Sequence, residues 1–155
     1  MSPRQPRFHL KTYTYFHVTA VGNNGQALFA DDEDRRRYLQ LLERECAKRG
    51  LELVAYCLMT NHIHLLLRAP SIRDLSRAMQ ALHTAYVVYF NRRHGRTGHL
   101  FGARFNSTVI KDEAHFARAK EYIENNPVPV GLAKSKKDYP WSSAKGDGGN
   151  LTSHA

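Results

Sequence analysis

Two histidines separated by a single residue stand in an apolar stretch of the sequence. If residues 56–68 form a strand, His62 and His64 point to one face of it and Ile63 points to the other. Two imidazoles on neighbouring positions of one face can chelate a metal ion when a third group arrives from elsewhere. Such a pair can also consist of solvent-exposed residues without a function. Leucines on both faces of this strand indicate burial, however, and burying an imidazole without a hydrogen-bond partner is energetically unfavourable. The sequence therefore favours a covered and functional pair.

A phenol and an amide share one face of the last predicted helix. The helix covers about residues 112–125 and ends at Asn126-Pro127. Tyr122 and Asn126 are four residues apart, so they are neighbours on the helix surface, with His115 close beside them. Each has an ordinary structural interpretation, Tyr122 as a residue flanking the core and Asn126 as a helix cap. Together with the histidine pair they favour a site that cleaves a nucleic acid strand.

The elements that must position these residues follow the order strand, helix, strand, strand, helix, strand. This order predicts an α+β, ferredoxin-like (βαββαβ) fold, an antiparallel four-stranded sheet with two helices on one face. An additional C-terminal helix carries the tyrosine. The domain is predicted at residues 8–132, followed by a basic, partly disordered tail at 133–155. The predicted elements cover about residues 8–21, 32–49, 51–59, 62–68, 71–93, 98–111 and 112–125.

Composition indicates one domain with a polyanionic partner. The 155 residues include 23 Lys and Arg against 14 Asp and Glu, a net charge of +9, which favours nucleic acid although charge alone is weak evidence. No apolar run is long enough to cross a membrane, so we expect a cytoplasmic protein. Cys46 and Cys57 form no C-x-x-C motif and are predicted to be reduced packing residues.

Residues 75–111 contain no Asp or Glu and are rich in basic side chains. A basic segment is often a solvated surface, but this long acid-free stretch favours a surface that follows phosphates. Phe101 and Phe105 lie in the same stretch and either stack on unpaired bases or, as we favour, pack in the core. The predicted DNA contacts are Arg92, Arg93, Arg96 and Arg104.

Five motifs, in this order and spacing, resemble those of the single-tyrosine HUH transposases of insertion-sequence type, and especially the REP-associated tyrosine transposases. The resemblance extends from about Tyr13 to Ser143. The motifs are Leu58-Met59-x-Asn61-His62-Ile63-His64, Asn91-Arg92-Arg93, Gly98-His99-Leu100-Phe101-x-x-Arg104-Phe105, Tyr122-Ile123-x-x-Asn126-Pro127 and Asp138-Tyr139-Pro140-Trp141-Ser142-Ser143.

The resemblance implies a role for each residue of the site. It implies that His62, His64 and Asn126 hold a divalent ion and that Tyr122 is the nucleophile. Two nitrogens and one amide oxygen leave coordination positions open, which suits Mg²⁺ or Mn²⁺ better than a closed zinc site. The implied substrate is hairpin DNA with an adjacent single-stranded guide, and the product is a 5′-phosphotyrosine with a free 3′-hydroxyl. No nucleotide cofactor is needed, and the protein is expected to be a monomer or a homodimer.

Two other functions fit parts of the sequence. One is a catalytically inactive ferredoxin-like nucleic-acid-binding module or repressor, which would keep the basic surface but would not need Tyr122 beside the metal ligands. The other is a metal hydrolase in which His62 and His64 bind the ion and water is the nucleophile, for which we expect more carboxylate ligands. The combination of the histidine pair with Tyr122 and Asn126 favours the transposase.

Overall fold

The strands of the protein form one antiparallel sheet. The structure is a computed structural model that describes residues 13–146. The sheet order is β2-β3-β1-β4, with β1 at Thr14–Val21, β2 at Glu52–Leu58, β3 at His62–Ala69 and β4 at Asn106–Val109. This strand order confirms the predicted ferredoxin-like topology, in which β3 and β1 occupy the centre of the sheet.

Three helices cover the two faces of this sheet. The helices are α1 at Asp32–Arg49, α2 at Ile72–His94 and α3 at Glu113–Asn125. The first two pack against each other and cover one face, whereas α3 lies on the other, where the ring of Phe116 is 5.0 Å from that of Tyr15 on β1. The additional C-terminal helix is therefore confirmed. None of the helices within residues 13–146 combines the length and hydropathy that a bilayer crossing requires.

Local capping explains why the helix bounds agree with the sequence. The side chain of Asp31 accepts a hydrogen bond from a backbone N–H in the first turn of α1, and Ser71 does the same for α2. Both α1 and α2 end at a glycine in the left-handed region. These glycines are Gly50, with φ 72°, and Gly95, with φ 62°. A side chain at either position would be strained, so these glycines stop the helices where the sequence predicted.

A fully buried carboxylate joins the start of α1 to the end of α2. Asp34 accepts hydrogen bonds from the Ala30 backbone N–H at 2.8 Å and the Tyr89 hydroxyl at 2.7 Å. It also contacts the Arg93 guanidinium at 2.7 Å and His94 Nε2 at 2.9 Å. Burial opposes the charged form, but these donors lower the pKa of Asp34 below its ordinary value. The carboxylate is therefore charged and fully partnered inside the helix pair.

The last strand is shorter than predicted. Residues 98–105 form a loop and only Asn106–Val109 joins the sheet, so the strand predicted at 98–111 is corrected. Backbone and side-chain groups together hold this loop: the Asn23 backbone N–H donates to the Leu100 carbonyl at 2.8 Å, and the Gly102 N–H donates to the Val21 carbonyl of β1 at 3.0 Å. The Gln26 amide donates to the carbonyls of His99 and Leu100, at 3.1 and 3.2 Å. These hydrogen bonds hold the 98–105 loop against the domain, and β4 begins only at Asn106.

The packed domain continues past the predicted boundary at residue 132. Tyr139 and Trp141, which were assigned to the tail at 133–155, are buried in the core. The Ser143 backbone N–H donates to the Tyr56 carbonyl on β2 at 3.0 Å, so this segment covers the edge of that strand. The predicted boundary was too early because the basic stretch that begins at residue 133 was taken as the start of the tail, although buried aromatic residues follow it. Residues 147–155 and 8–12, where disorder and the start of the first strand were predicted, lie outside the described residues.

Both cysteines are free and buried, Cys46 on α1 and Cys57 on β2. Burial raises the pKa of each thiol to about 12. The thiols therefore pack as small apolar groups, as predicted.

We predict that Asp34→Asn lowers the free energy of unfolding by about 1–3 kcal/mol, because the neutral amide cannot accept from all of the donors that the buried carboxylate satisfies. Urea denaturation of the two proteins measures this difference. Glu33→Gln, one residue away and exposed, is the matched control and should change stability by less than about 0.5 kcal/mol. Equal stability of the Asp34 variant and the parent would contradict the prediction.

Candidate functional site

The structure brings together the four residues predicted to form a site. His62 and His64 lie on β3, and Tyr122 and Asn126 come from the end of α3. The distance from His62 Nε2 to Asn126 Oδ1 is 3.3 Å, although these residues are 64 positions apart in the chain. The ring centroids of His62 and His64 are 5.1 Å apart, and those of His64 and Tyr122 are 5.6 Å apart. The site therefore lies between the sheet and α3.

A neighbouring amide fixes the orientation of the first histidine ring. Asn61 Oδ1 is 2.9 Å from His62 Nδ1, and because an amide oxygen only accepts, Nδ1 carries the proton. A neutral His62 then presents the lone pair of Nε2 to Asn126 Oδ1, so that two acceptors face each other at 3.3 Å. A cation between them would satisfy both. Ligand atoms at about 2.1 Å from one ion and at right angles to each other lie about 3.0 Å apart, close to the observed distance.

His17 of β1 joins the site and was not predicted. Its Nε2 is 3.2 Å from His64 Nδ1, and its ring centroid is 6.0 Å from that of Tyr122. Burial, followed by the proximity of His62 and His17, lowers the pKa of His64 to about 3. Burial also lowers the pKa of His17. Both rings are therefore neutral at pH 7, and one of the two facing nitrogens donates a hydrogen bond to the other.

The sequence indicated on which face of its strand His17 lies, but it did not indicate that this face meets His64. His17 occupies the same face of its strand as Tyr15 and Thr19, as the alternation in the sequence indicates. The register places Thr19 directly opposite His64, which brings His17 beside the site. That register depends on pairing across the sheet and could not be read from residues 13–21 alone.

A buried glutamate fixes α3 against the sheet and was also missed. Glu124 is 5% exposed; its carboxylate accepts a hydrogen bond from the Ser143 hydroxyl at 2.7 Å and pairs with Lys120 at 3.1 Å. Ser143 Oγ in turn accepts a hydrogen bond from the Tyr56 backbone N–H at 3.0 Å. Ser143 therefore joins β2 to α3 at a position two residues before Asn126.

Tyr122 differs from the other tyrosines in its accessibility. All eight tyrosines lie within the described residues, and Tyr122 is 57% exposed while the rest are buried or half-buried. The Tyr86 hydroxyl donates to the Leu28 carbonyl at 2.6 Å, and the Tyr89 hydroxyl donates to Asp34 at 2.7 Å. These two hydroxyl groups stabilise the fold.

The four arginines predicted to contact DNA have different surroundings. Arg93 is held by Asp31 and Asp34, and Arg96 donates to Gln26 at 3.0 Å, so both take part in the fold. Arg92 lies at the end of α2, in the helix layer opposite the histidine face. The structure does not bring these residues to the site of Tyr122. Among these four arginines, Arg92 and Arg104 have exposed side chains that make no hydrogen bond or ion pair within residues 13–146.

Comparison with protein families gives a match over most of the chain. The family described as IS200-like transposases matches residues 11–126. The chain belongs to this family. The matched region contains His62, His64 and Tyr122 and ends at Asn126. The candidate site between β3 and α3 therefore lies within the region that matches the IS200-like transposases.

Individual relatives agree with this assignment. A Haemophilus influenzae protein assigned as a REP-associated tyrosine transposase is 28% identical over 141 residues, covering 83% of this chain and 78% of the relative. The structure of a REP-associated tyrosine transposase bound to a REP hairpin matches with a TM-score of 0.69 at 22% identity, over 92% of this chain and 82% of that one. A Deinococcus radiodurans protein assigned as a transposase matches with a TM-score of 0.51 at 24% identity, over 73% and 90% of the two chains. These structures share the fold.

We predict that Ser143→Ala loosens α3 selectively. Loss of the hydroxyl removes one donor from the buried Glu124 carboxylate, so the free energy of unfolding should fall by about 1–3 kcal/mol. Amide hydrogen exchange should accelerate more in α3 than in α1. Ser107→Ala, on the exposed strand β4, is the matched control. Unchanged exchange in α3 would show that Ser143 does not hold the helix.

Proposed function

We propose that the protein is a metal-dependent single-stranded DNA endonuclease and strand transferase, a transposase in which Tyr122 is the nucleophile. The observation that carries the proposal is the position of Tyr122, whose exposed side chain lies beside His64 on the face that also presents His62 and Asn126. A transposase that cuts and rejoins DNA needs a reactive hydroxyl that a phosphodiester can reach. Family membership supports DNA processing, and the local geometry supports this residue.

The proposed reaction exchanges one phosphoester for another. The Tyr122 hydroxyl oxygen attacks phosphorus, the bond from phosphorus to the 3′-oxygen breaks, and the 3′-oxygen takes up a proton to leave as a hydroxyl. The phenol proton passes to solvent, which reaches the 57% exposed side chain. The 5′ end remains on the protein as a phosphotyrosine. Attack by a second 3′-hydroxyl reverses the step and joins two strands without an external energy source.

A divalent ion fits the donors at this site, and His62, His64 and Asn126 would hold it. Within residues 13–146 no group of three His, Cys, Asp or Glu side chains is placed to hold one ion, so the Asn126 oxygen supplies the third donor. When bound, Mg²⁺ or Mn²⁺ would polarise a non-bridging phosphate oxygen and offset the charge that develops there. The Asn61 contact keeps the Nε2 lone pair of His62 directed towards Asn126.

His17 acts as a positioning residue in this proposal. If His64 coordinates through Nε2, its Nδ1 carries the proton and donates to His17 Nε2. That hydrogen bond fixes both the tautomer and the plane of the His64 ring. Partners of this kind strengthen metal affinity by about 10- to 100-fold in other metal sites.

The proposed substrate is single-stranded DNA that contains a hairpin, such as REP elements, processed in the cytoplasm. A solved relative of the same fold carries a REP hairpin. The net charge of +9 and the exposed Arg92 and Arg104 favour contact with phosphates. These features support single-stranded DNA that contains a hairpin as the class of substrate.

We predict that Tyr122→Phe abolishes covalent attachment to DNA, with a loss of at least about 100-fold, because it removes only the attacking oxygen. The assay incubates labelled hairpin oligonucleotides with protein and Mn²⁺ and resolves the adduct under denaturing conditions. The variant should keep its fold and its affinity for DNA. Tyr89→Phe also loses one hydroxyl and should keep forming the adduct. An adduct with the Tyr122 variant would move the nucleophile elsewhere.

We predict that Mn²⁺ affinity, measured by calorimetry in the absence of DNA, falls by at least about 10-fold in His62→Ala and by about 10- to 100-fold in His17→Leu. His17→Gln should recover much of the loss, since its amide oxygen can accept from His64 Nδ1. His99→Ala, an exposed histidine outside the site, is the control. Chelation should stop adduct formation without unfolding the protein. Unchanged affinity in His62→Ala would reject the metal site, whereas unchanged affinity in His17→Leu alone would reject only the positioning role.

A further inference from the structure

An exposed arginine lies one helical turn before Tyr122 on α3. Arg118 is four residues ahead of Tyr122, and Asn126 follows after four more, so the three side chains lie on one stripe of the helix. Side chains in a helix lean towards its N-terminus, so the ring of Tyr122 extends over the turn that carries Arg118. Arg118 was not among the predicted DNA contacts, because it lies outside the acid-free residues 75–111. The stripe nevertheless places a cation beside the proposed nucleophile.

The positive charge of Arg118 is not neutralised by the acids of its own helix. Within residues 13–146 its side chain makes no hydrogen bond or ion pair. Residues three or four positions away can reach it on the helix surface, and Glu121 is the one acid among them. The Glu121 carboxylate is already paired with the Lys136 ammonium at 2.8 Å. Arg118 is therefore free to bind an anion from solvent.

Arg118 projects on the open side of α3. The opposite side carries Glu124, which contacts Ser143 and is closed by it. At about 100° per residue, Arg118 lies about 120° from Glu124 around the helix but only about 40° from Tyr122. The strands next to this open side are β1, whose His17 ring is 6.0 Å from that of Tyr122, and β4. All four residues of β4 are exposed, so α3 leaves that edge of the sheet uncovered. A DNA strand that reaches Tyr122 from this edge passes Arg118.

An arginine in this place suits the chemistry of phosphoryl transfer. A guanidinium binds phosphate oxygens through a planar fork of N–H donors and stays charged. When a nucleophile attacks phosphorus, negative charge develops on the non-bridging oxygens, and a cation held close to them lowers the barrier. His62 and His64 face the site from the sheet, whereas Arg118 faces it from the solvent side of α3. The two groups of side chains can therefore act on different oxygens of one phosphate.

We propose that Arg118 is a catalytic residue, whose guanidinium donates hydrogen bonds to a non-bridging oxygen of the phosphodiester that Tyr122 attacks. No bond to Arg118 forms or breaks, and the guanidinium keeps its protons throughout. It stabilises the charge that develops while the phenol oxygen bonds to phosphorus and the 3′-oxygen leaves. The inference rests on the proposed function and adds to its reaction a residue that neither the histidine pair nor the acid-free segment indicated.

The first test measures the rate of adduct formation with Mn²⁺ at saturating hairpin DNA. Arg118→Ala should lower this rate by at least about 10-fold, because it removes an interaction that is strongest in the transition state. Arg118→Lys keeps the charge without the fork and should give an intermediate rate. Arg36→Ala is the matched control and should react at the parent rate. Arg36 is also exposed and without an ion pair within the described residues, but it lies on α1, on the opposite face of the sheet.

DNA affinity separates this role from simple binding and also reports folding. Measured in the Tyr122→Phe background, so that no cleavage occurs, the affinity for the hairpin should change by less than about 3-fold when Arg118→Ala is added, because one exposed ionic contact contributes little to binding. Retained affinity shows that the variant is folded.

The second test alters the DNA instead of the protein. The cleaved position is first read from the length of the DNA that the parent protein releases, and a methylphosphonate, in which a methyl group replaces one charged non-bridging oxygen, is placed there. If Arg118 offsets the charge of that oxygen, its removal matters less. The ratio of the parent rate to the Arg118→Ala rate should therefore fall from at least about 10-fold to below about 3-fold. A methylphosphonate three nucleotides away is the control and should leave the ratio unchanged.

Three results would overturn the inference. These are an equal rate for Arg118→Ala and the parent, a loss that is confined to affinity, and a rate ratio that does not respond to the methylphosphonate at the cleaved position. Each of them leaves the Tyr122 adduct of the parent protein intact, so the proposed function would stand without Arg118. A parent protein that forms no adduct would overturn the proposed function, and this inference with it.

Discussion

The candidate site depends on how α3 is seated on the sheet. His62 and His64 are fixed by the pairing of β3 with its neighbours, whereas Tyr122 and Asn126 move with the helix. The buried Glu124 carboxylate restricts this seating because a buried charge without partners is strongly destabilising. A displacement of α3 by one turn, about 5.4 Å, would separate Glu124 from the Ser143 hydroxyl as well as Asn126 from His62. The contact that stabilises the helix therefore also sets the geometry of the site.

Features that follow from local rules were the ones that the sequence predicted. Side-chain alternation placed His62 and His64 on one face, helical spacing placed Asn126 beside Tyr122, and caps and glycines set the helix ends. The missed features depend on contacts between distant segments. His17 reaches His64 only through the register of β1 with β3, and residues 98–105 are held by hydrogen bonds to Val21, Asn23 and Gln26, which are far away in the chain. Pairing register and long-range hydrogen bonds are not readable from periodicity.

The basic segment shows why charge alone is a poor guide to binding. Arg93 and Arg96 belong to the same acid-free stretch as Arg92 and Arg104, and in the sequence the four look alike. The acids that pair with Arg93 come from the start of α1, so an acid-free stretch of sequence is not an acid-free surface. Arg93 stabilises the helix pair, and its contribution to the positive potential is partly neutralised by Asp31 and Asp34. The local density of unpaired cations is therefore lower than the net charge of +9 suggests.

Two arrangements at the site do not stabilise the folded protein when no ligand is bound. The ring of Tyr122 is largely exposed, and the Nε2 lone pair of a neutral His62 faces an amide oxygen. Most buried polar groups elsewhere within residues 13–146 have partners, as the fully partnered Asp34 illustrates, and the atoms without one are the Tyr56 hydroxyl oxygen and the Arg35 Nε. Local exceptions in an otherwise consistent structure tend to occur where a ligand completes the interactions. A cation would satisfy the two facing acceptors, and a phosphodiester would contact the exposed phenol, so both exceptions have the same explanation. This is the physical reason to place DNA and the ion together between β3 and α3.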